Sequence, residues 1–405
     1  MTSASTTAYP PESALAKSTR PRALLFTSFE PSGDDHASTV IVELLRRHPD
    51  LKIYAWGGPR MAEAGAEVVE QTGKDAVMGM PGFAKIQEHR RINERIEAWM
   101  DSNPIAAHIA VDSPAANFPI CKLAKRRGIR VVHLVAPQVW AWGKWRVKKL
   151  RKLTDMVLCL LPFEETWFEK QNVPAKYVGH PLFDIELDHE ALSASAATMP
   201  EGAPKIALLP GSRPKEHERN FPLLLESFRR LRQDRPGVVG VVAATTPEVA
   251  KILRAQAQAL GGWPEGLTIQ THNTDAIVKW CDLALVVSGT VTLQIARQQK
   301  PMVIVYKTGR LFYGLFARWV LIAPFFTLPN LIAGREIVPE LVPHFGDAEP
   351  IVQEATKLIE DDSYAQQQRD DLQKVTQQFE AMDTCALAAD EIERLAGLKL
   401  SAVAP

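Results

Sequence analysis

The residues best suited to chemistry come directly after apolar runs. In LLPGSRPKEHERN an apolar run ends at Pro210, and Gly211, Ser212 and Arg213 follow it at the start of a predicted helix. A helix N-terminus binds anions because its backbone N–H groups are free and its dipole end is positive. Arg213 adds a permanently charged, forked donor for phosphate oxygens. The pattern fits a diphosphate site, and it equally fits an ordinary capped helix with a solvated arginine.

The same design recurs at Ser288, Gly289 and Thr290, which follow the apolar run LALVV and precede another predicted helix. Two such turns would stabilise a departing nucleoside diphosphate without a divalent cation. No Asp-x-Asp motif lies in a plausible metal-binding loop, so we expect neither a metal nor a cofactor. Gln294 lies one helical turn beyond Thr290, where it would either meet a ribose hydroxyl or face solvent.

Polar side chains also follow two apolar runs in the first half of the chain. FTSFEPSGDDHAS supplies Glu30, Ser32, Gly33 and Asp34 after the first run, and Asp112 follows the run HIAV. We expect Ser32, Gly33 and Asp34 to contact the acceptor or its lipid part. Partial burial raises the pKa of a carboxyl group, so Asp112 is a candidate general base. Capping of the following helix is a competing role for Asp112.

The segment APQVWAWGKWRVKKLRKL combines three tryptophans with six basic residues. Trp140, Trp142, Lys144 and Arg146 predict a surface for an anionic, partly apolar partner, such as a lipid with a phosphate head group. Stacking on single-stranded nucleic acid is the alternative. The formal net charge of zero, from 47 basic and 47 acidic residues, disfavours nucleic acid as a partner.

Alternating apolar runs and longer helical patterns must position these residues. The near-continuous hydrophobicity of the runs predicts parallel strands buried on both faces. The runs lie at 22–28, 52–56, 108–111, 130–135 and 156–161, and again at 205–210, 238–244, 267–270, 283–287 and 302–306. Repeated strand–helix units predict an α/β fold with two doubly wound, Rossmann-like domains. Ligands would bind in an interdomain cleft at the carboxyl ends of the strands, which is the GT-B arrangement.

The composition fits a globular protein in a reducing cytoplasm, with 46% hydrophobic residues and four widely spaced cysteines. No apolar stretch is long and charge-free enough to predict a transmembrane helix, since Arg318 and Pro324 interrupt the aromatic segment 311–329. The predicted parts are a disordered tail at 1–20, a first domain at 21–184, a linker at 185–204, a second domain at 205–350 and C-terminal helices at 351–398.

Together these motifs resemble the lipid-A-disaccharide synthase family, inverting glycosyltransferases of the GT-B fold. The matching segments lie in order from about Phe26 to Val342: EPSGDDHAS, WGGPRMAEAG, VMGMPGF, APQVWAWGKWRVKKL, VLCLLPFEETWFEKQNVPAKYVGHPL, LLPGSRPKEHERN, SGTVTL and FTLPNLIAGREIVPELV.

The resemblance implies a reaction. The family joins UDP-2,3-diacylglucosamine to 2,3-diacylglucosamine 1-phosphate by a β-1,6 bond and releases UDP. It implies that the first domain binds the acceptor, that the second binds the UDP-sugar, and that the last helices pack back on the first domain. It also implies peripheral attachment to the cytoplasmic face of a Gram-negative inner membrane, and it leaves a homodimer open.

The resemblance also assigns roles to individual residues. Asp112 matches the family's essential aspartate, the candidate base on the acceptor 6-hydroxyl, and Glu30 matches a glutamate near the sugar or acceptor. Arg213 matches the arginine that serves the diphosphate. The remaining matches concern the phosphate-binding turn and polar residues near the nucleotide: Ser288, Gly289, Thr290, Asn330 and Arg335.

This chain departs from the family pattern at the site. Gln294 stands where a glutamate is usual, and an amide offers a ribose only one oxygen acceptor, a loss of about 1–3 kcal/mol. Phe29 replaces a typical glycine, Asp35 replaces an apolar residue, and the second aspartate after Asp112 is missing. Two alternatives therefore stay open: a UDP-sugar 2-epimerase on the same fold, and a catalytically inactive relative that binds lipid or nucleotide.

Overall fold

The computed structural model of the chain describes residues 23–72, 83–309 and 323–398. Within these residues it contains two parallel β-sheets with helices between the strands. The predicted tail at 1–20, nearly all of the motif VMGMPGF and the aromatic segment up to residue 322 lie outside the described residues. No described helix has the length and apolar character needed to span a membrane.

The first sheet contains seven strands in the order β3-β2-β1-β4-β5-β6-β7. The strands are β1 (Ala23–Thr27), β2 (Lys52–Gly57), β3 (Glu67–Gln71), β4 (Ala107–Val111), β5 (Arg130–Leu134), β6 (Met156–Cys159) and β7 (Ala175–Tyr177). Both β1 and β4 are buried along their whole length, as their apolar runs predict. The direction in which strands are added reverses between β1 and β4, so the switch point of this sheet lies there.

Eight helices accompany the strands of the first sheet and the segment after it within the described residues. They are α1 (Pro31–Arg47), α2 (Pro59–Glu63), α3 (Phe83–Ser102), α4 (Pro114–Arg126), α5 (Val147–Leu153), α6 (Glu164–Glu169), α7 (Pro181–Asp184) and α8 (His189–Ala196). Proline occupies the start of α1 and α4, where the missing N–H has no partner to lose. The predicted linker 185–204 contains α8.

The second sheet contains six strands in the order β10-β9-β8-β11-β12-β13. The strands are β8 (Lys205–Leu209), β9 (Val239–Ala244), β10 (Leu267–Thr271), β11 (Leu283–Val287), β12 (Met302–Lys307) and β13 (Glu340–His344). Its switch point lies between β8 and β11, in the same relative place as in the first sheet. A core that includes Leu208, Phe221, Phe228 and Leu285 fixes the first helix of this sheet against the strands.

The helices of the second half are α9 (Pro214–Asp234), α10 (Pro247–Ala259), α11 (Thr274–Trp280), α12 (Val291–Arg297), α13 (Leu328–Ala333), α14 (Glu349–Glu360), α15 (Asp362–Thr376) and α16 (Thr384–Ala396). Contacts divide the chain into two compact units. One holds the residues up to Val135, Leu153–Val157 and those from Ala388 onward, and the other holds Ala136–Lys152 and Leu158–Leu387. The domain boundaries given above stay predictions.

Helix α16 is tied to helix α1 inside the first unit. The guanidinium of Arg47 donates to Asp390 at 2.5 Å and to Glu393 at 3.4 Å, although these residues are more than 340 positions apart. The side chains of Arg47 and Glu393 are only 14% and 6% exposed, so their ion pair is shielded better than an ordinary surface pair, whereas Asp390 is 58% exposed. Helix α16 therefore supplies the acidic partners of Arg47, the last residue of α1.

Candidate active site

The predicted catalytic carboxylates lie at the switch point of the first sheet. Glu30 follows β1 and Asp112 follows β4, and these strands are direct neighbours with Thr27 opposite Ala110. The hydroxyl of Ser113 donates to Glu30 Oε1 at 2.7 Å. The structure thus connects the two predicted carboxylate positions through the residue that follows Asp112.

The backbone at Asp112 has an unusual conformation for residues other than glycine. Asp112 and Ser113 have φ of 47° and 34°, in the left-handed region, which costs roughly 1–2 kcal/mol per residue. The Asp112 N–H donates to Leu134 O of β5 at 3.0 Å. The side-chain amide of Asn117 donates to the Asp112 carbonyl at 2.9 Å. Ser113, and not Asp112, occupies the N-cap position of α4.

The structure corrects the expected acceptor contact of Asp34. Its carboxylate is 5% exposed and accepts the backbone N–H groups of Gly58, Arg60 and Met61 at 3.0–3.1 Å. These bonds satisfy the free N–H groups at the start of α2, so the role that the structure gives Asp34 is a helix cap.

The neighbours of Asp34 differ in their exposure. Gly33 is also buried, and a Cβ there would lie 2.4 Å from Ser28 Oγ, so a side chain at this position would require the Ser28 hydroxyl to move. Ser32 is exposed at the start of α1. Among these three residues only Ser32 is on the surface, and its contact with an acceptor stays a prediction.

The first predicted phosphate turn is occupied by a carboxylate of the protein itself. Glu216 Oε2 accepts the N–H groups of Ser212 and Arg213 at 3.2 Å, and Glu216 Oε1 accepts from the Arg213 guanidinium at 2.9 Å. Gly211 has φ of 98°, and a Cβ there would lie 2.8 Å from the Glu216 side chain. The two backbone amides expected to bind diphosphate are thus engaged. The Arg213 side chain remains 55% exposed.

The second predicted phosphate turn lies beside the first. It follows β11, which is the neighbour of β8, with Leu209 opposite Val286. Gly289 and Thr290 are exposed, and the partly buried Ser288 hydroxyl donates to Phe326 O at 3.3 Å. Adjacent parallel strands end at the same edge, so the structure brings both predicted turns to one switch point.

Gln294, the departure from the family pattern, lies in the middle of α12, the helix that follows the second turn. Its side chain is partly buried. This partial burial is compatible with both roles that the sequence left open, a ribose contact and a solvated surface position. The contact of Gln294 with a nucleotide stays a prediction.

Asn330 does not offer free polar atoms to a nucleotide. It is fully buried, and its amide nitrogen donates to Val338 O at 3.0 Å and to Glu340 Oε2 at 2.9 Å. Its side-chain oxygen accepts the N–H groups of Ile337 and Val338 at 2.8 and 3.0 Å. An asparagine amide has two donor hydrogens and an oxygen with two lone pairs, so its capacity is filled. This corrects the expectation for Asn330, which fastens the segment before β13 to α13.

Arg335 lies at the other edge of the second sheet. It precedes β13, and the strands are parallel, so it belongs to the amino-terminal edge, whereas the phosphate turns lie at the carboxyl-terminal edge. Its guanidinium pairs with the buried carboxylate of Asp371 at 2.6 Å. The Arg335 side chain remains 56% exposed, and its contact with a nucleotide stays a prediction.

The tryptophans of the basic segment have different environments. Trp140 is 6% exposed, stacks edge-to-face on Phe163, and donates its indole N–H to Glu164 Oε1 at 2.8 Å. This corrects the expectation of a lipid contact at Trp140, because the indole is enclosed and its only donor is used. Burial raises the pKa of Glu164 to about 7, against the opposing effect of the indole and of two backbone N–H donors.

The rest of the basic segment forms an exposed aromatic and cationic surface. Trp142 and Trp145 are 39% and 62% exposed. The Arg146 guanidinium lies 4.2 Å from the Trp142 ring centroid and 5.9 Å from that of Trp145, within cation–π range. Lys144 is exposed beside them. Their contact with lipid stays a prediction.

Comparison with known proteins identifies the family. A family model described as Lipid-A-disaccharide synthetase matches residues 24–392. The chain belongs to the lipid-A-disaccharide synthase family. A lipid-A-disaccharide synthase of Paraburkholderia phymatum is 36% identical over 349 residues, covering 85% of this chain and 89% of that protein. One of Geobacter sulfurreducens is 32% identical over 385 residues, covering 93% and 96%.

Solved structures confirm the predicted fold. A UDP-GlcNAc 2-epimerase of Neisseria meningitidis, bound to UDP-GlcNAc, superposes with a TM-score of 0.62 at 12% identity, covering 92% of this chain and 99% of that one. The calicheamicin glycosyltransferase CalG4 gives 0.57 at 18% identity, covering 95% and 100%. At such identities the likeness shows the fold alone, which is of the GT-B type with two Rossmann-like domains.

Membership of the lipid-A-disaccharide synthase family confirms the predicted enzyme class. The protein is a glycosyltransferase of lipid A biosynthesis, and the family match favours neither the 2-epimerase nor the inactive alternative. The Gram-negative origin of the relatives agrees with this assignment.

The residues whose hydrogen bonds fix the turns of the candidate site were not identified from the sequence. Ser113, Asn117 and Glu216 were not singled out, although each has a local signal. Glu216 stands three residues after Arg213, the spacing of a carboxylate that reaches back to a helix N-terminus. Asn117 lies one turn into the helix that follows Asp112, where an amide can reach back to the strand end.

Proposed function

We propose that the protein transfers 2,3-diacylglucosamine from UDP-2,3-diacylglucosamine to the 6-hydroxyl of 2,3-diacylglucosamine 1-phosphate. The products are the β-1,6-linked disaccharide 1-phosphate and UDP. The observation that carries this proposal is the family match over residues 24–392, nearly the whole of the described chain. The UDP-bound solved structures of the same fold support a UDP-sugar as the donor.

Asp112 is the general base of the proposed reaction. It accepts the proton of the acceptor 6-hydroxyl as that oxygen attacks C1 of the donor sugar from the face opposite UDP. The bond from C1 to the diphosphate breaks with its electron pair on the leaving UDP, so the configuration at C1 inverts. Glu30 accepts a hydrogen bond from the hydroxyl of Ser113, the residue that follows Asp112, and it contacts the sugar or the acceptor.

The carboxyl-terminal edge of the second sheet stabilises the leaving diphosphate. Because Glu216 engages the amides of Ser212 and Arg213, the contribution of the first turn comes mainly from the exposed Arg213 guanidinium. The exposed backbone at Gly289 and Thr290 supplies the second contact. Donors fixed before the reaction stabilise developing charge without reorganising, which supports departure of UDP without a divalent cation.

Peripheral attachment to the cytoplasmic face of the inner membrane uses the surface made by Trp142, Lys144, Trp145 and Arg146. Tryptophan rings suit the boundary between head groups and acyl chains, and the cations suit anionic lipid. The acyl chains of both substrates require a membrane or micelle surface, which gives this exposed patch a function. Whether the chain acts as a homodimer is a separate matter on which this mechanism does not depend.

The decisive experiment supplies both acylated sugars and measures the product mass. We expect the disaccharide 1-phosphate and an equal amount of UDP, at a rate that a chelator does not change. The donor sugar alone is the control, because a 2-epimerase would convert it without any acceptor. Absence of the disaccharide contradicts the proposed reaction, and loss of the rate with chelator contradicts the metal-independent mechanism.

A further inference from the structure

A chain of buried hydrogen bonds lies beneath Asp112. Thr27 at the end of β1, His108 on β4 and Asn117 on α4 are all fully buried. The Thr27 hydroxyl donates to Asn117 Oδ1 at 2.6 Å and lies 2.8 Å from His108 Nε2. The Asn117 amide nitrogen donates to the carbonyls of Val111 and Asp112 at 3.0 and 2.9 Å.

The direction of every bond in this chain can be deduced. A hydroxyl has one proton, and Thr27 gives it to Asn117 Oδ1, so His108 must donate through its Nε2–H. The opposite orientation of Asn117 is excluded because it would place the side-chain oxygen against the carbonyl oxygens of Val111 and Asp112. His108 is held neutral because burial, helped by nearby His133, lowers its pKa to about 3. His108 Nδ1, the nitrogen without a proton, has no hydrogen-bond partner among the described residues.

This series of hydrogen bonds ends at the backbone of Asp112, where the conformation is strained. Asp112 and Ser113 are consecutive non-glycine residues in the left-handed region, a conformation that persists only where the surroundings enforce it. The Asp112 N–H is held by Leu134 O, and its carbonyl is held by Asn117. The peptide groups on both sides of the Asp112 side chain are therefore fixed from two different elements.

We propose that Asn117, oriented by Thr27 and His108, is a positioning residue that fixes the direction of the Asp112 carboxylate toward the acceptor hydroxyl. The inference rests on the proposed role of Asp112 as general base. Asn117 and Thr27 are fully buried, so in this proposal they act through the backbone of Asp112 and not by contact with a substrate. Their loss should therefore lower the rate of the chemical step and leave substrate binding nearly unchanged.

Thr27 offers a matched pair of variants. Thr27→Val keeps the shape but removes the hydroxyl, and Thr27→Ser keeps the hydroxyl. We expect Thr27→Val and Asn117→Ala to lower kcat by about 10–100-fold, because small misplacements of a catalytic group have effects of this size. We expect KM for both sugars and affinity for UDP to stay near wild type, and Thr27→Ser to recover most of the rate. Asn103→Ala, which removes another amide–carbonyl bond before β4, is the control and should leave kcat unchanged.

A double-mutant cycle with Asp112→Asn separates positioning from a merely structural role. If Asn117 acts through Asp112, then Asn117→Ala has little further effect in the Asp112→Asn background. Equal losses in both backgrounds would overturn the inference. So would a wild-type kcat in folded Thr27→Val, or equal losses in Thr27→Ser and Thr27→Val. The Thr27 pair decides the matter if Asn117→Ala does not fold.

The outcomes also distinguish this inference from the proposed function. A normal rate in Asp112→Asn would overturn the base assignment, and with it the positioning role. A low rate in Asp112→Asn, combined with normal rates in Thr27→Val and Asn117→Ala, would overturn only the positioning role.

Discussion

The two sheets share a strand order but present opposite chemistry at their carboxyl-terminal edges. In each sheet the switch point lies between the first strand and the fourth, and a polar turn follows both of these strands. The first edge presents the carboxylates Glu30 and Asp112. The second presents the Arg213 guanidinium and the glycine-containing turns. Strand order therefore fixes where the polar turns lie, and the turn residues decide whether that edge presents carboxylates or a guanidinium with glycine-containing turns.

The two edges differ in the type of residue that adopts a positive φ. At Gly211 a positive φ is taken by glycine, which has no Cβ to clash. At Asp112 and Ser113 a positive φ is taken by residues other than glycine. The Ser113 side chain binds Glu30, and the role proposed for Asp112 requires its carboxylate. The strained backbone of the first edge is consequently stabilised by buried partners, whereas the Gly211 turn of the second edge is stabilised by the Glu216 carboxylate.

The largest expected effect comes from removing the base at the first edge. Asp112→Asn should lower kcat by about 10²–10⁴-fold, because an amide cannot accept the hydroxyl proton. UDP affinity, which the proposal assigns to the second edge, should not change. Rates from product mass, together with UDP titration by calorimetry, check both statements. An equal loss of UDP affinity would contradict the assignment of proton transfer to the first edge and of diphosphate binding to the second.

The next effect concerns Glu164, a buried carboxyl group that follows β6 at the first edge. Its folded-state pKa of about 7 is raised above the ordinary 4.5, so the folded protein keeps a proton that the unfolded chain loses between these values. Stability from this group is complete below about pH 4.5 and falls as the pH rises to about 7, by about 3 kcal/mol. Urea unfolding across this range measures it. Glu164→Gln, which does not titrate, should lack this part of the slope, and parallel curves for the two proteins would refute the prediction.

At the second edge, Arg213→Ala should raise the Kd for UDP by about 10–100-fold, the usual cost of a lost charged hydrogen bond to phosphate. Arg213→Lys is the matched variant. It keeps the charge but not the forked geometry, so its Kd should lie between the other two. Uridine, which has no phosphate, should bind all three proteins equally. A change in uridine affinity would mean that the turn itself had been disturbed.

The smallest expected effect is a gain. Gln294→Glu should tighten UDP by about 1 kcal/mol, roughly fivefold, because a carboxylate accepts from ribose hydroxyls better than an amide does. Deoxyuridine diphosphate lacks one of these hydroxyls and should show a smaller gain. No gain, or the same gain for both nucleotides, would place Gln294 away from the ribose.

Much of the fold could be predicted because buried strands are continuously apolar. The strands that escaped were β3, β7 and β13, which lie at sheet edges and are short or partly exposed. A half-exposed edge strand such as EVVEQ lacks the apolar run that identifies a central strand. Pro343 further disguises β13, although proline is tolerated at an edge.

The site was predicted only as far as local sequence reaches. The glycine, serine and carboxylate residues predicted at strand ends do lie together at the carboxyl-terminal edges, because neighbouring parallel strands end at the same edge. The partners of Asp34 and Trp140 lie 24 residues or more away along the chain, so nothing local indicated that these side chains were engaged. Asn330 was misjudged for another reason, because a polar residue in a family motif looks the same whether it binds a ligand or the backbone.

The link between α1 and α16 has a consequence for synthesis of the protein. A ribosome makes Arg47 some 343 residues before it makes Asp390. A nascent chain that already contains all seven strands of the first sheet still lacks the acidic residues that complete the first helix. The first unit therefore cannot make its complete set of contacts until the segment that contains Asp390 and Glu393 has been synthesised.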